Sequence, residues 1–179
     1  MFPFKISWLF ILSIFLFISC GTDIKEKTHP TNYPQQKVAY SFVKTFLKTN
    51  KATQLKLTKA LKPNFKDIQA IFPDAAMQNR ARKYINQLFD KEKFLVRPLA
   101  ESNQVLIWTA STNDFKAAIG DAVHFPSDFI KILPYLEDDV IIHRFKFVKD
   151  QFPAGISFEG LVRVNDKWVI FPKIWKIAP

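Results

Sequence analysis

The hydrophobic pattern of this chain changes its period once, after Asp90. Before Asp90, apolar residues recur at every third or fourth position, a spacing typical of amphipathic helices. After Asp90 they alternate with polar residues, a spacing typical of half-buried β-strands. Helices followed by strands predict an α+β fold in which N-terminal helices pack on a curved, mostly antiparallel, cone-like sheet.

Four helices are predicted before Asp90. The first has an apolar face formed by Val38, Ala39, Phe42, Val43, Phe46 and Leu47. A short second helix passes through Leu57, Ala60 and Leu61 and stops before Pro63. Asn64 and Asp67 have the spacing of a capping pair for a third helix, whose inward residues are Phe65, Ile68, Ile71 and Phe72. Asp74 caps a longer fourth helix, with Met77, Ala81, Tyr84, Ile85, Leu88 and Phe89 on one face.

Five strands are predicted after Asp90, at residues 94–98, 105–110, 140–148, 156–164 and 168–171. The last two flank Asn165 and Asp166, a dipeptide suited to the positive φ angles of a tight two-residue turn, so they form a hairpin. A short helix from Ser127 through Leu133, interrupted by Pro134, is expected between the second and third strands.

This order of elements resembles the cone-shaped fold of the nuclear-transport-factor-like superfamily. The resemblance implies a pocket between the helices and the sheet, in a fold that hosts binding modules and enzymes alike. Residues 158–176 also resemble the C-terminal signature of uncharacterised bacterial proteins, which have Asn-Gly in the hairpin and end in Phe-Pro-Lys-Pro-Trp-Arg. This chain departs from that signature at Asp166, Ile174 and Lys176. The second resemblance implies an ordered C-terminus and carries no activity.

The N-terminus has the pattern of a secretion signal. Lys5 precedes an apolar run, Ile6 to Ile18, which is shorter than the roughly 18 residues that span a membrane. The run ends in Leu16-Phe17-Ile18-Ser19-Cys20, which resembles the lipobox of bacterial lipoproteins, with Phe17 where leucine is usual. The resemblance implies lipid on Cys20 and cleavage before it. The alternative is an uncleaved anchor helix, and both place the remainder outside the cytoplasm.

The predicted organisation is a signal peptide at residues 1–19, a lipidated cysteine and flexible tether at 20–36, and one α+β domain at 37–179. Cys20 is the only cysteine, so the domain has no disulfide and no thiolate site. Residues 21–36 are polar, contain two prolines and lack an apolar period, which is typical of a tether. Lipid at Cys20 would attach the domain to a membrane, inner or outer.

The net charge of the whole chain is +10, and most of the basic residues are lysines. Eight lysines and no acidic residue occur from Lys37 to Lys66. Four of them, Lys37, Lys44, Lys48 and Lys51, lie opposite the apolar face of the first helix, and we call them the lysine face. This face is either solvated or lies on an anionic envelope surface such as lipid head groups. Nucleic acid is an unfavoured partner outside the cytoplasm and with only five arginines.

Candidate chemistry centres on His143 and Glu159. His143 lies among apolar residues of a predicted strand, either as a core histidine with a satisfied hydrogen bond or as a pocket acid or base. Glu159 and Arg163 are expected on one strand face as a solvated ion pair. The functional alternative is that Glu159 meets His143 across neighbouring strands at a pocket mouth.

Other patterns favour structural roles. His29, His124 and His143 lack metal-ligand spacing, so no metal site is predicted. The acidic run from Glu137 to Asp139 lacks the alternating ligands of a calcium loop and predicts a turn. Four glycines leave no phosphate-binding loop, so no cofactor is predicted. Trp108 and Trp168 are expected in the core, while Trp175 either clamps the C-terminus or contacts a partner.

These patterns predict an envelope lipoprotein with a non-catalytic domain that binds a small ligand or a protein partner. An enzyme built around His143 and Glu159 is the alternative, and a structural surface protein is a third. The sequence identifies no ligand and no oligomeric state.

Overall fold

A computed structural model describes residues 33–150 and 152–179, so the predicted signal peptide, Cys20 and most of the tether lie outside the described residues. The helices are α1 (Pro34–Lys44), α2 (Lys51–Ala60), α3 (Phe65–Gln69), α4 (Ala75–Phe89) and α5 (Thr112–Ala117). The strands are β1 (Gln104–Ser111), β2 (Ile141–Lys149), β3 (Phe152–Val164) and β4 (Lys167–Ile170). Short 3-10 turns occupy Thr45–Lys48, Gly120–His124, Ser127–Lys131, Leu133–Tyr135 and Ile174–Ile177. The predicted α+β class is confirmed.

The four strands form an antiparallel sheet in chain order β1-β2-β3-β4. One face, which we call the α1 face, carries Thr109, His143, Leu161 and Ile170 side by side. Helix α1 packs on this face, because Phe42 stacks on Trp168 with ring centroids 5.5 Å apart. The opposite face carries Trp108, Arg144, Glu159 and Val169. The core residues run from Ala39 to Ile177, so the described part of the chain holds its own core.

The caps that begin α3 and α4 follow the predicted chemistry. Asn64 and Asp67 form a reciprocal capping box, with the Asp67 N–H donating to Asn64 Oδ1 at 3.0 Å. Asp74 Oδ1 accepts the Met77 N–H at 2.8 Å and begins α4. The hairpin between β3 and β4 is also confirmed, since Asn165 and Asp166 both have positive φ.

The predicted strand at residues 94–98 is wrong. Val96 is fully buried, but its N–H donates to the Thr58 hydroxyl at 3.1 Å and not to a neighbouring strand. The extended segment is therefore tied to helix α2. Apolar alternation alone does not distinguish a strand from an extended connection whose backbone bonds to a side chain.

Several helix boundaries and faces also differ from the prediction. Helix α1 begins at Pro34, within the predicted tether, because proline is well suited to a first helical turn. Val38 and Phe65 were expected inside but are 46% and 42% exposed. The expected helix at Ser127 is two 3-10 turns, Ser127–Lys131 and Leu133–Tyr135. Helix α5 was not predicted, although its capping box of Ser111 and Asp114 is visible in the sequence.

A β-bulge at Gly160 sets the orientation of β3. His143 pairs with Leu161 while the next residue, Arg144, pairs with Glu159, so Gly160 is skipped. Gly160 has φ +84°, and a Cβ there would lie 2.2 Å from the carbonyl oxygen of Phe171. The bulge turns Glu159 and Leu161 to opposite faces, so the prediction that Glu159 and Arg163 share a face is wrong.

A buried carboxylate joins the helices to the hairpin. Asp67 is fully buried and accepts hydrogen bonds from Lys167 Nζ at 2.6 Å, the Asn64 N–H at 2.7 Å and Asn165 Nδ2 at 2.9 Å. Burial alone would raise the pKa of Asp67, but the hydrogen bonds from Lys167, Asn165 and Asn64 outweigh it and lower the pKa. Helix α3 is therefore fixed to the turn between β3 and β4.

Polar groups cover parts of both outer edges of the sheet. Along β1, Asp121 Oδ2 accepts the Thr109 N–H at 2.9 Å, and Gln36 Nε2 donates to the Ile107 carbonyl at 3.1 Å. Along β4, the Ile170 N–H donates to the Leu61 carbonyl at 3.0 Å. These bonds occupy edge groups that would otherwise be open to another strand.

We expect Gly160→Ala to lower the free energy of unfolding by about 3 kcal/mol, because a side chain at positive φ is strained and the new Cβ meets the Phe171 carbonyl. Gly120→Ala is the matched control, since Gly120 also has positive φ but open space around it. Gly120→Ala should lower the free energy of unfolding by only about 1 kcal/mol, the cost of a side chain in the left-handed region. Urea denaturation measures both, and equal losses would contradict the close approach.

We expect Asp67→Asn to lower the free energy of unfolding by about 2 kcal/mol at neutral pH. The loss is no larger because Lys167, its charged partner, is partly exposed to solvent. The pKa of Asp67 is lower in the folded chain than in the unfolded chain. Ionised Asp67 therefore stabilises the fold at pH values above its ordinary pKa, and this stabilisation is lost as the pH falls through its pKa in the folded chain. The variant should therefore show a shallower acid decline in thermal melts. Asp74→Asn keeps an N-cap and should be near neutral; an equal loss there would refute the assignment.

Candidate functional site

A groove opens at the end of the sheet where β2 and β3 separate. Their last pair at this end is Ile142 with Val162, and beyond it β3 pairs only with β4. The groove has a volume of about 470 Å³. We call it the end groove; its lining includes Ala70, Ile71, Ile141, His143, Val162, Arg163 and Asn165. It therefore lies between the end of α3, the start of β2 and the hairpin turn.

His143 forms part of the base of the end groove. Its side chain is 1% exposed, and its Nδ1 lies 2.9 Å from the Thr109 hydroxyl. The Trp168 ring packs edge-on against it with centroids 5.5 Å apart. Burial lowers the pKa of His143 to about 4, so the ring is neutral at pH 7. The interpretation of His143 as a core histidine with a satisfied hydrogen bond is confirmed.

The partner of His143 is itself held in place. The Thr109 N–H donates to Asp121 Oδ2 at 2.9 Å, and Gln36 Nε2 approaches the same oxygen at 3.4 Å. Asp121 is buried. These contacts link α1, β1 and the Gly120–His124 turn around the hydroxyl that orients the imidazole. Sequence reasoning missed Thr109 and Asp121, because no local motif marks a carboxylate that bonds to a strand edge.

Polar side chains at the rim of the end groove have partners within the domain. Arg163 is 3.9 Å from Asp166, and Asn113 Nδ2 donates to Asp139. Asp139 belongs to the acidic run, which forms the predicted turn before β2, while its neighbour Asp138 pairs with Lys116. The groove thus combines one guanidinium and two carboxylates with the apolar side chains of its lining.

Glu159 lies on the other side of the sheet from His143. It is 9% exposed, and its Oε1 lies 3.7 Å from Arg144 Nε. The Arg144 guanidinium in turn lies over the Trp108 ring at 5.1 Å. Burial raises the pKa of Glu159, an effect that the charges of Arg144 and Lys173 partly offset. The structure therefore does not bring Glu159 and His143 together, because the bulge at Gly160 separates them.

The four residues of the lysine face do not lie on one helix. Lys37 and Lys44 belong to α1, Lys48 ends the 3-10 turn that follows, and Lys51 begins α2, so the prediction that the first helix carries all four is wrong. Lys37, Lys44, Lys48 and Lys51 are exposed, and within the described residues no carboxylate lies within ion-pair distance of them. Lys44 Nζ rests over the Tyr40 ring at 5.6 Å. By contrast, Lys59 and Lys62 pair with Glu92 and Asp90. The face is a positive surface, and its docking on an anionic partner stays a prediction.

Trp175 holds the C-terminal segment against the domain. Its half-buried ring lies 5.9 Å from the Phe129 ring. Its segment, the Ile174–Ile177 turn, also contributes two buried isoleucines to the core. This geometry favours the clamp over a projecting partner contact.

In the part of the chain that the structure describes, no helix is long and apolar enough to cross a membrane. No group of three histidine, aspartate or glutamate side chains there is placed to hold a metal ion.

Comparison with protein families, curated proteins and solved structures finds no match to this chain.

We expect the His143 ring to stay neutral until the pH approaches about 4, as followed by its imidazole NMR shifts. Below pH 6.5, the ordinary pKa of histidine, the imidazole of the unfolded chain binds a proton that the folded chain does not bind. Stability should therefore fall by up to about 3 kcal/mol between pH 6.5 and 4 through this group. His143→Gln should reduce that decline. Titration of the ring near 6.5 would show that it is not desolvated.

Proposed function

We propose that this chain is a bacterial envelope lipoprotein whose domain is a non-catalytic module that binds a small polar ligand in the end groove. The lipobox-like segment ending at Cys20 supports the anchor. The observation that carries the binding role is the fixed neutral imidazole of His143 at the base of the groove. Cleavage before Cys20 would leave the domain outside the cytoplasm on a lipid anchor.

The groove combines the features of a ligand site. Ile71, Ile141 and Val162 give it apolar walls, while His143 gives it one oriented polar group. Because Thr109 holds Nδ1, the polar atom of the ring left for a ligand is Nε2. Arg163 at the rim adds a cation for a polar substituent. A small molecule with an apolar body and a hydrogen-bonding end fits this arrangement.

The separation of Glu159 from His143 favours binding over catalysis. General acid–base chemistry in this groove needs a second titratable group beside the imidazole. The carboxylates at the rim, Asp139 and Asp166, face Asn113 and Arg163. A low pKa also makes His143 a weak base. A binding role uses the same imidazole as a fixed hydrogen-bonding group.

The test is the native mass of the mature chain purified from its own envelope. We expect extra mass that disappears on denaturation, and we expect Ala70→Trp to abolish it by filling the groove. The matched control is Ala76→Trp, an exposed alanine of α4 outside the groove lining, which should keep the ligand. A bare mass for the unaltered chain, or equal loss from both variants, would overturn the proposed site.

A further inference from the structure

An apolar surface lies at the end of the sheet that carries α5. Ile119, Val123 and Ile130 are 55%, 66% and 66% exposed, the highest values among the large apolar side chains of the described residues. Val123 and Ile130 border a shallow depression of about 370 Å³ that is lined almost wholly by apolar residues. We call this surface the apolar face and define it by Ile119, Val123 and Ile130.

Packed aromatic rings support the apolar face from below. The Phe115 ring stacks on Phe129 with centroids 4.8 Å apart and meets Phe125 edge-on at the same distance. These rings are buried, whereas the aliphatic side chains above them are not. Exposed apolar side chains beside an apolar depression mark an interaction surface, whereas apolar residues exposed singly do not.

The chain enters the domain beside this face. The hydroxyl of Tyr33, the first residue of the described part, donates to Asp114 of α5. Phe115, which follows Asp114 directly, and Ala118, the C-cap residue of the same helix, both line the depression. Cys20 lies thirteen residues before Tyr33, a separation that spans at most about 45 Å. The first described residue is therefore tied to the helix that helps to line the depression, and Cys20 lies within reach of it.

We propose that the apolar face docks on the lipid bilayer, with Ile119, Val123 and Ile130 entering the boundary between head groups and acyl chains. The inference rests on the proposed lipid anchor at Cys20. Anchoring confines the domain to the membrane, so a weak apolar contact is enough to fix its orientation. The domain would then rest on the membrane by one defined surface.

Salt dependence distinguishes docking by the apolar face from binding by the lysine face, because the charges beside the apolar face are already paired. Lys116 and Lys131 pair with Asp138 and Asp128 at 2.6 and 2.5 Å. Attraction through the apolar face therefore comes from burial of aliphatic groups and depends little on salt. Attraction through the unpaired lysine face would need anionic lipid and would weaken with salt.

The experiment uses the lipidated full chain in phosphatidylcholine vesicles, with a photoreactive benzophenone side chain replacing Ile130. Control chains carry the probe at Leu99 or at Lys48. Leu99 is an exposed apolar residue that precedes β1, whereas α5, which helps to form the apolar face, follows β1. Leu99 and the apolar face therefore lie towards opposite ends of that strand. Lys48 reports on the lysine face. Intact mass measures lipid on Cys20 in every sample.

We expect the Ile130 probe to form lipid adducts in about tenfold excess over both controls, since burial of one aliphatic side chain changes partitioning by at least that factor. High salt and added phosphatidylglycerol should leave the excess unchanged. Adding Val123→Ser should lower it about tenfold; this exposed site leaves the core intact.

Equal adducts at the three positions, or no adducts, would overturn the docking. Salt-sensitive adducts mainly at Lys48 would assign membrane contact to the lysine face instead. A chain without lipid on Cys20 overturns the anchor together with the docking. A lipidated chain without excess adducts at Ile130 overturns the docking alone.

Discussion

The close approach of the Gly160 backbone to Phe171 determines which residues each face of the sheet presents. The Phe171 N–H donates to the Gly160 carbonyl at 2.8 Å, and the positive φ of Gly160 makes this contact possible. One residue is thereby skipped in β3. Leu161 then faces α1 beside His143, while Glu159 faces Arg144 on the other side. Without the skipped residue, Glu159 would lie on the same face as Leu161 and away from Arg144.

The end groove depends on a second constraint, the set of hydrogen bonds around Asp67. One wall comes from Ala70 and Ile71 at the end of α3, and the other comes from Arg163 near the end of β3 and Asn165 in the hairpin turn. Asp67 bonds to both sides, through Asn64 of the helix cap and through Asn165 and Lys167 of the hairpin. The hydrogen bonds of Asp67 thus fix the distance between the two walls. The hydroxyl of Thr109 fixes the orientation of the His143 ring at the base.

Local chemistry was readable from the sequence, whereas long-range geometry was not. Asn64 with Asp67, Asp74, and the Asn165-Asp166 turn act within a few residues, and their predictions were confirmed. The faces of Glu159 and Arg163 depended on a bulge whose cause, Phe171, lies eleven residues away in sequence. The role of Asp67 as a partner of Lys167 and the role of Asp121 at the β1 edge likewise join distant segments. Periodicity also misassigned residues 94–98, since Thr58 supplies the backbone partner that a strand would have supplied.

The partly covered sheet edges bear on how copies of this chain would meet. On a membrane, where the proposed anchor would hold them, copies would meet repeatedly in similar orientations, and an open strand edge is a site for pairing with another copy. Here Asp121 and Gln36 occupy backbone groups on one side, and the Leu61 carbonyl occupies one on the other. A neighbouring copy would have to displace these bonds before it could add a strand. The same contacts that orient Thr109 therefore also oppose edge-to-edge pairing of copies through β1.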